Sequence, residues 1–255
     1  IMKSLWNDTE AQAFSNDPLG LRVYTSRLLG ANPDLVLHGG GNTSVKLNQK
    51  NFFGDPEDLL LVKGSGWDLA TIESPGFAPV RLETLKRLAE LETLSDTEMV
   101  RQQRAAMTDP GAPNPSVEAI LHALIPFRYG DHTHADAVLG VTNHPNGEKS
   151  VQEIYGNRVI VIPYVMPGFV LAKKVRELTQ GKNWADYEGM ILMNHGIFTF
   201  DDDARESYEK MIRLVTEAED YVRQKGAREA SKTKVQEDLI RLAGIRKKVS
   251  DTAGK

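Results

Sequence analysis

The chain contains no cysteine. That absence excludes a disulfide scaffold, a thiol nucleophile, an iron–sulfur cluster and a thiolate zinc site, and it is compatible with a reducing compartment. Any metal must take nitrogen and oxygen ligands. No apolar run approaches the roughly 20 residues needed to cross a bilayer, and residues 1–14 are too polar for a signal peptide. The expected location is the cytoplasm. Neither sign of charge dominates: 31 basic against 35 acidic residues leave a net charge of -4, with no large footprint for nucleic acid or an anionic membrane. An anionic ligand would need local donors. A Gly-x-Gly-x-x-Gly fingerprint and a Walker A pattern are also missing, so dinucleotide and nucleoside triphosphate sites have no support. What is present, 40% hydrophobic and 26% charged residues over 255 positions, is the composition of a globular protein with one large core.

Hydrophobic spacing switches between helical and extended periods, which predicts a mixed α/β architecture. A helix over 17–30, stopped by glycine, is followed by an apolar stretch at 34–37 and short strands over 43–47 and 58–62. Residues 67–115 carry two helical patterns, Leu82/Leu85/Leu88 and Met99 onward, and read as an insertion within the domain. Asn114 and Pro115 suit the cap and first position of a helix with Val117, Ile120, Leu121 and Leu124 on its apolar face, which puts Glu118 in its first turn. Extended segments follow over 128–133, 159–162 and 189–193, with a helix from 168 to about 179. Ala204, Tyr208, Met211, Ile212, Val215, Ala218 and Val222 recur at helical spacing and predict a long amphipathic helix, started by the acidic run 201–203. The domain so read spans 1–225; a basic linker and a weaker helical pattern, Val235/Leu239/Leu242, occupy 226–255.

Six histidines are present, and His132-Thr133-His134 has the spacing that puts two imidazoles on one face of an extended strand. Such a pair is half a metal site or a pair of hydrogen-bonded surface or core histidines. His195 follows an apolar strand and precedes Gly196, a natural rim position, and Glu118 offers a carboxylate. Three histidines and one carboxylate satisfy zinc's preference for nitrogen and oxygen donors. Two glycine-rich loops, His38-Gly39-Gly40-Gly41-Asn42 and Lys63-Gly64-Ser65-Gly66, let backbone N–H groups approach an anion such as phosphate, or are simply tight turns. The His-Gly-Gly-Gly run matches the oxyanion loop of α/β-hydrolases, but no Gly-x-Ser-x-Gly elbow accompanies it, which rejects an esterase. His122, one helical turn after Glu118, either orients that carboxylate or packs; His144 precedes a proline in a loop. The tryptophans read as packing anchors.

Five motifs taken in order, Gly41-Asn42-Thr43-Ser44, Lys63-Gly64-Ser65-Gly66, Pro115-Ser116-Val117-Glu118, His132-Thr133-His134 and Asn194-His195-Gly196, resemble the class II aldolase/adducin family over about residues 19–222. The runs 121–124 and 131–137 look most like the aldolase half of bifunctional rhamnulose-1-phosphate aldolase/alcohol dehydrogenases. The resemblance implies a three-layer α/β/α sandwich with a mostly antiparallel sheet, commonly a fourfold tetramer with active sites at subunit interfaces. It implies zinc, or another divalent transition metal, on His132, His134 and His195, and an acid/base role for Glu118. Phosphate contacts fall on Asn42, Ser65, Gly66 and Ser116, with Ser44 and Lys63 as neighbours.

The implied reaction is retro-aldol cleavage of a ketose 1-phosphate, similar to rhamnulose 1-phosphate, to dihydroxyacetone phosphate and a short aldehyde such as lactaldehyde. Sugar-phosphate epimerases of the superfamily generally carry Asp at the Glu118 position, a methylthioribulose-phosphate dehydratase retains Glu, and a non-catalytic adducin-like module would lose the metal ligands. Three departures stand out: the 67–115 segment is longer than in compact fuculose-phosphate aldolases, Val117 replaces a second phosphate-binding serine, and no motif identifies which tyrosine would take the proton-donor role of those enzymes, which stays open. No nucleotide-binding domain follows residue 222, so the chain reads as the truncated half of a bifunctional enzyme or a free-standing relative.

Overall fold

The computed structural model describes residues 2–227 and 239–254. Two units are distinguished, Ile1–Lys225 and Gly226–Lys255. The first contains helices α1 (Asp8–Gln12), α2 (Pro18–Gly30), α3 (Leu82–Leu88), α4 (Asp96–Ala105), α5 (Ala119–Leu124), α6 (Asp136–Thr142), α7 (Gly147–Tyr155), α8 (Phe169–Thr179) and α9 (Ala204–Gln224). Its strands are β1 (Asn42–Lys50), β2 (Pro56–Lys63), β3 (Phe77–Arg81), β4 (Tyr129–Thr133), β5 (Val159–Ile162), β6 (Gly189–Leu192) and β7 (Gly196–Asp201). The second unit holds α10 (Leu239–Ala253), with Leu239, Leu242, Ile245 and Val249 exposed. Val235, the first member of the helical pattern read there, lies outside the described residues. Among the described residues no helix is long and apolar enough to cross a membrane.

The strands form one sheet in the order β3-β2-β1-β4-β7-β6-β5, antiparallel at every pairing except β5 with β6. Successive side chains of a strand point to opposite faces, and here both faces are covered. Leu60, Val62, Ile160, Ile162, Leu192, Phe198 and Phe200 therefore join one core, where α3, α5 and α8 contribute Leu85, Ile120 and Val175. The alternate residues Leu59 and Leu61 pack with Val23 of α2, and Ile191 and Ile197 with Tyr208 and Met211 of α9. The result is the three-layer α/β/α sandwich that the resemblance implies. Asp203 caps α9, its side chain accepting from the backbone N–H of Arg205 and Glu206, so the long amphipathic helix starts at the acidic run as expected.

One expectation is corrected. The helix α5 begins at Ala119, with Glu118 at its N-cap position, rather than at Pro115. Pro115 forms a bridge with Gly64, the Ser116 N–H donates to Lys63 O (3.1 Å), and Asn114 O accepts from the Ser65 N–H (2.8 Å). These backbone groups prolong the end of β2, so Asn114 does not cap a helix. Residues 67–115, read as an insertion within the domain, are part of its framework. They supply β3, the sheet edge paired with β2, and place Leu85 and Met99 in the core.

Under β4 lies a fully buried ion pair. Arg22 of α2 donates to Asp131 Oδ1 (2.5 Å) and Thr25 Oγ1 (2.6 Å), while Asp131 Oδ2 accepts from the Ser207 hydroxyl of α9. A second desolvated cation sits on the other side of the sheet. Lys46 Nζ donates to the carbonyls of His122 and Phe127, both at 2.8 Å, and burial, aided by Lys86, lowers its pKa to about 7. An unfolded lysine titrates near 10.4, so between about pH 7 and pH 10 the unfolded chain holds the extra proton and unfolding becomes costlier as pH rises. We expect the stability difference between wild type and Lys46→Met to grow in favour of wild type across that window, by up to about 1.4 kcal/mol per pH unit. Urea unfolding at stepped pH measures it, and a pH-independent difference would remove Lys46 as the cause.

Candidate metal centre

The site is built on the central rung of the sheet, where Asn42 of β1, His132 of β4 and Phe198 of β7 are paired in register. Strand alternation puts His134, just past the end of β4, on the same side as His132. His195 comes from the turn between β6 and β7, whose Asn194 adopts φ +59°, a conformation Asn tolerates better than most residues. Asn194 Nδ2 ties that turn to Thr142 O (3.2 Å) and Asn143 Oδ1 (2.8 Å). A Cβ at Gly196 would collide with the Thr133 carbonyl and stand 3.1 Å from His132 Cε1, so only glycine lets the turn close on the β4 histidines.

One nitrogen from each of His132, His134 and His195 lies within 4.8 Å of the others. Ring centroids are 4.9 to 5.2 Å apart. His132 donates from Nδ1 to Ile197 O (3.0 Å), which turns its Nε2 lone pair toward the cluster, 3.1 Å from His134 Nε2. Burial is the main cause that lowers all three imidazole pKa values, His132 furthest because its two neighbours add to the effect. The rings are thus neutral, the state in which they bind metal. Glu118 completes the group: Oε2 is 3.4 Å from His132 Nε2 and Oε1 is 3.4 Å from His195 Nε2. Burial pushes the Glu118 pKa up, opposed by His195, the Asn42 hydrogen bond and Lys63. Among the described residues its Oε1 has no hydrogen-bond partner although buried. A nitrogen-rich set of neutral donors beside an orphaned carboxylate oxygen fits a divalent transition metal.

Behind Glu118 runs a chain of side chains. Asn42 Nδ2 donates to Glu118 Oε2 (2.6 Å), Asn42 Oδ1 meets His122 Nε2 (2.5 Å), and His122 Nδ1 meets Ser44 Oγ (2.8 Å). His122 reaches Glu118 through Asn42, not directly. Ser44 is fully buried and its hydroxyl is engaged by His122. Phe198, which carries no signal in the sequence beyond its apolar character, stacks on His132 at 4.2 Å and 17°.

The two glycine-rich loops meet beside this group, since Lys63 Nζ donates to Gly39 O (3.0 Å). Lys63 is almost fully buried, and desolvation lowers its pKa to about 8 against the pull of Asp68 and Glu118. Ser65 and Gly66 are exposed, Gly66 with φ +83°. The Ser116 hydroxyl accepts from the Glu118 N–H (3.2 Å), and Val117 is exposed. His38 and His144 stand apart in exposed loops.

Residues 21–222 match the family described as Class II Aldolase and Adducin N-terminal domain. The N-terminal class II aldolase domain of a conserved protein from Thermoplasma acidophilum is 38% identical, with 87% of this chain and 100% of that one covered at a TM-score of 0.79. An uncharacterized oxidoreductase of Bacillus subtilis, YuxG, is 35% identical over 224 residues, which is 87% of this chain and 32% of that protein. The chain therefore spans about a third of that relative's length. An L-fuculose-1-phosphate aldolase from Thermus thermophilus shares the fold at 18% identity and a TM-score of 0.53, with 81% of this chain and 95% of that one covered.

Proposed function

Because the chain belongs to the class II aldolase and adducin family, we propose that it is a metal-dependent aldolase, cleaving a ketose 1-phosphate of the rhamnulose 1-phosphate type to dihydroxyacetone phosphate and a short aldehyde such as lactaldehyde. One observation carries the reading: three neutral imidazoles, two from the end of β4 and one from the turn between β6 and β7, gather around a point that a buried carboxylate also faces, 3.4 Å from two of them. An interaction module would gain nothing from burying such a set. His132, His134 and His195 would hold zinc or another divalent transition metal, which supplies Lewis-acid polarisation of the substrate carbonyl and its neighbouring hydroxyl when bound.

Glu118 is the general base. It accepts the proton of the C4 hydroxyl as the C3–C4 bond breaks; the bonding pair passes toward the C2 carbonyl, the aldehyde departs, and return of that proton from Glu118 to C3 completes dihydroxyacetone phosphate. Burial favours this role by raising the basicity of the carboxylate. Lys63, Ser65, Gly66 and Ser116 hold the remote phosphate, whose binding energy fixes the reacting carbons against Glu118. Asn42 and Ser44 serve the base more than the phosphate, since their side chains are already engaged with Glu118 and His122. The same reading makes the protein a cytoplasmic homotetramer with active sites at subunit interfaces. Likeness to a third of the Bacillus oxidoreductase supports a companion dehydrogenase domain in a longer protein.

The test is a screen of ketose 1-phosphates with metal-loaded protein, coupled to detection of dihydroxyacetone phosphate. We expect release from rhamnulose 1-phosphate that a chelator abolishes and added zinc restores. An epimer or a dehydrated ketone as product would assign the site to those reactions instead, and inertness toward every sugar phosphate would overturn the reading.

A further inference from the structure

We infer that His122 is a positioning residue for Glu118: it fixes which end of the Asn42 amide faces the carboxylate and so keeps Glu118 hydrogen-bonded and aimed at the three imidazoles. This rests on the reading of Glu118 as the base. The polarity of the chain follows from hydrogen-bond bookkeeping. Glu118 Oε2, 2.6 Å from Asn42, needs a donor, so the amide nitrogen faces it and Asn42 Oδ1 points to His122. That oxygen at 2.5 Å demands a proton on His122 Nε2, which leaves Nδ1 of a neutral ring to accept the Ser44 hydroxyl proton at 2.8 Å. Turning the amide over would set a carbonyl oxygen against a carboxylate and two N–H groups against each other. The whole run from Ser44 to Glu118 thus has one self-consistent direction.

Packing alone does not call for this residue. His122 is fully buried, and a Phe or Leu would fill the volume without two polar atoms to satisfy. Both ring nitrogens are matched, the ring meets Phe198 edge-on at 5.1 Å, and Lys46 holds the backbone carbonyl at 2.8 Å. Even the neighbouring strand yields to it: a Cβ on Gly130 would stand 3.0 Å from His122 Nδ1 and 3.3 Å from Ser44 Oγ. Burial and the nearby charges of Lys46 and Arg22 favour the neutral ring that this direction requires.

Two polar variants of similar size separate positioning from filling. His122→Gln places an amide nitrogen where Nε2 was, whereas the shorter His122→Asn reaches only toward Ser44. In the zinc-loaded full chain we expect His122→Asn to lower kcat about 10- to 100-fold with KM and zinc content nearly unchanged, and His122→Gln to restore kcat to within about threefold. Nitrogen-15 NMR of the histidine-labelled wild type should show a neutral His122 ring with its proton on Nε2. In cobalt-loaded protein the visible spectrum of His122→Asn should move toward that of Glu118→Gln while His122→Gln keeps the wild-type spectrum. A ring protonated on Nδ1 or on both nitrogens, or equal behaviour of the two variants, would overturn the inference. If wild type turns over no sugar phosphate, the aldolase reading fails while the ring tautomer and the cobalt spectra still decide this one.

Discussion

Glu118→Gln is expected to lower turnover about 10²- to 10⁴-fold while the protein still carries equimolar zinc, the loss typical of removing a general base. The substitution keeps the shape of the side chain and leaves His132, His134 and His195 in place, so metal retention and lost chemistry come apart. It removes the acid whose oxygens lie 3.4 Å from two of the three imidazoles. The new amide also confronts the Asn42 nitrogen with either an oxygen, which preserves the hydrogen bond, or a second N–H group, which does not; neither arrangement returns a proton acceptor of carboxylate strength. Metal analysis paired with a coupled assay for dihydroxyacetone phosphate reads both quantities. Turnover close to wild type would strip Glu118 of its role.

Arg22→Met should destabilise the first unit by about 3 to 5 kcal/mol, roughly a 10²- to 10³-fold or larger shift toward the unfolded chain. The substitution strands Asp131, whose carboxylate is wholly enclosed and otherwise held by Ser207 alone. The cost comes from the uncompensated charge rather than from lost attraction, because burying a pair gains little net energy to begin with. The double variant Arg22→Met/Asp131→Leu should therefore recover most of the loss. Chemical denaturation of the three proteins measures it; a single-variant loss under about 1 kcal/mol, or no recovery in the double variant, would show that the pair does not clamp α2 to β4.

Much of this was legible from residue order. The segments 58–62, 159–162 and 189–193 announced extended structure, and the spacing of Tyr208, Met211, Val215 and Ala218 announced the helix that packs on the sheet. His132, His134, His195 and Glu118 were recognisable because imidazoles two apart on a strand and a His-Gly turn leave a pattern. What failed to show were pairings that depend on distant partners. Phe77–Arg81 becomes a strand only because β2 offers it an edge, and Pro115 is extended only because Gly64 bridges to it. Asn42 and Ser44 carried a family expectation of phosphate contact, yet register with β4 and the nearness of α5 turn their side chains to Glu118 and His122. Nothing local to Arg22 betrays that Asp131 waits beneath it.

The pairing of β4 with β7 has a consequence for biosynthesis. His132 and His134 leave the ribosome about sixty residues before His195, an interval of several seconds at ordinary elongation speeds. During that time the nascent chain holds two of the three imidazoles of this site and no tripod. Capture on all three must wait until the strand after His195 has zipped onto its neighbour, while the apolar layer on the α9 side closes only once residues 204–224 have followed. An ion held there on the proposed reading adds stability by mass action on the folded protein. Starving a cell of the metal should accordingly accumulate intact, inactive protein rather than aggregates or degradation products.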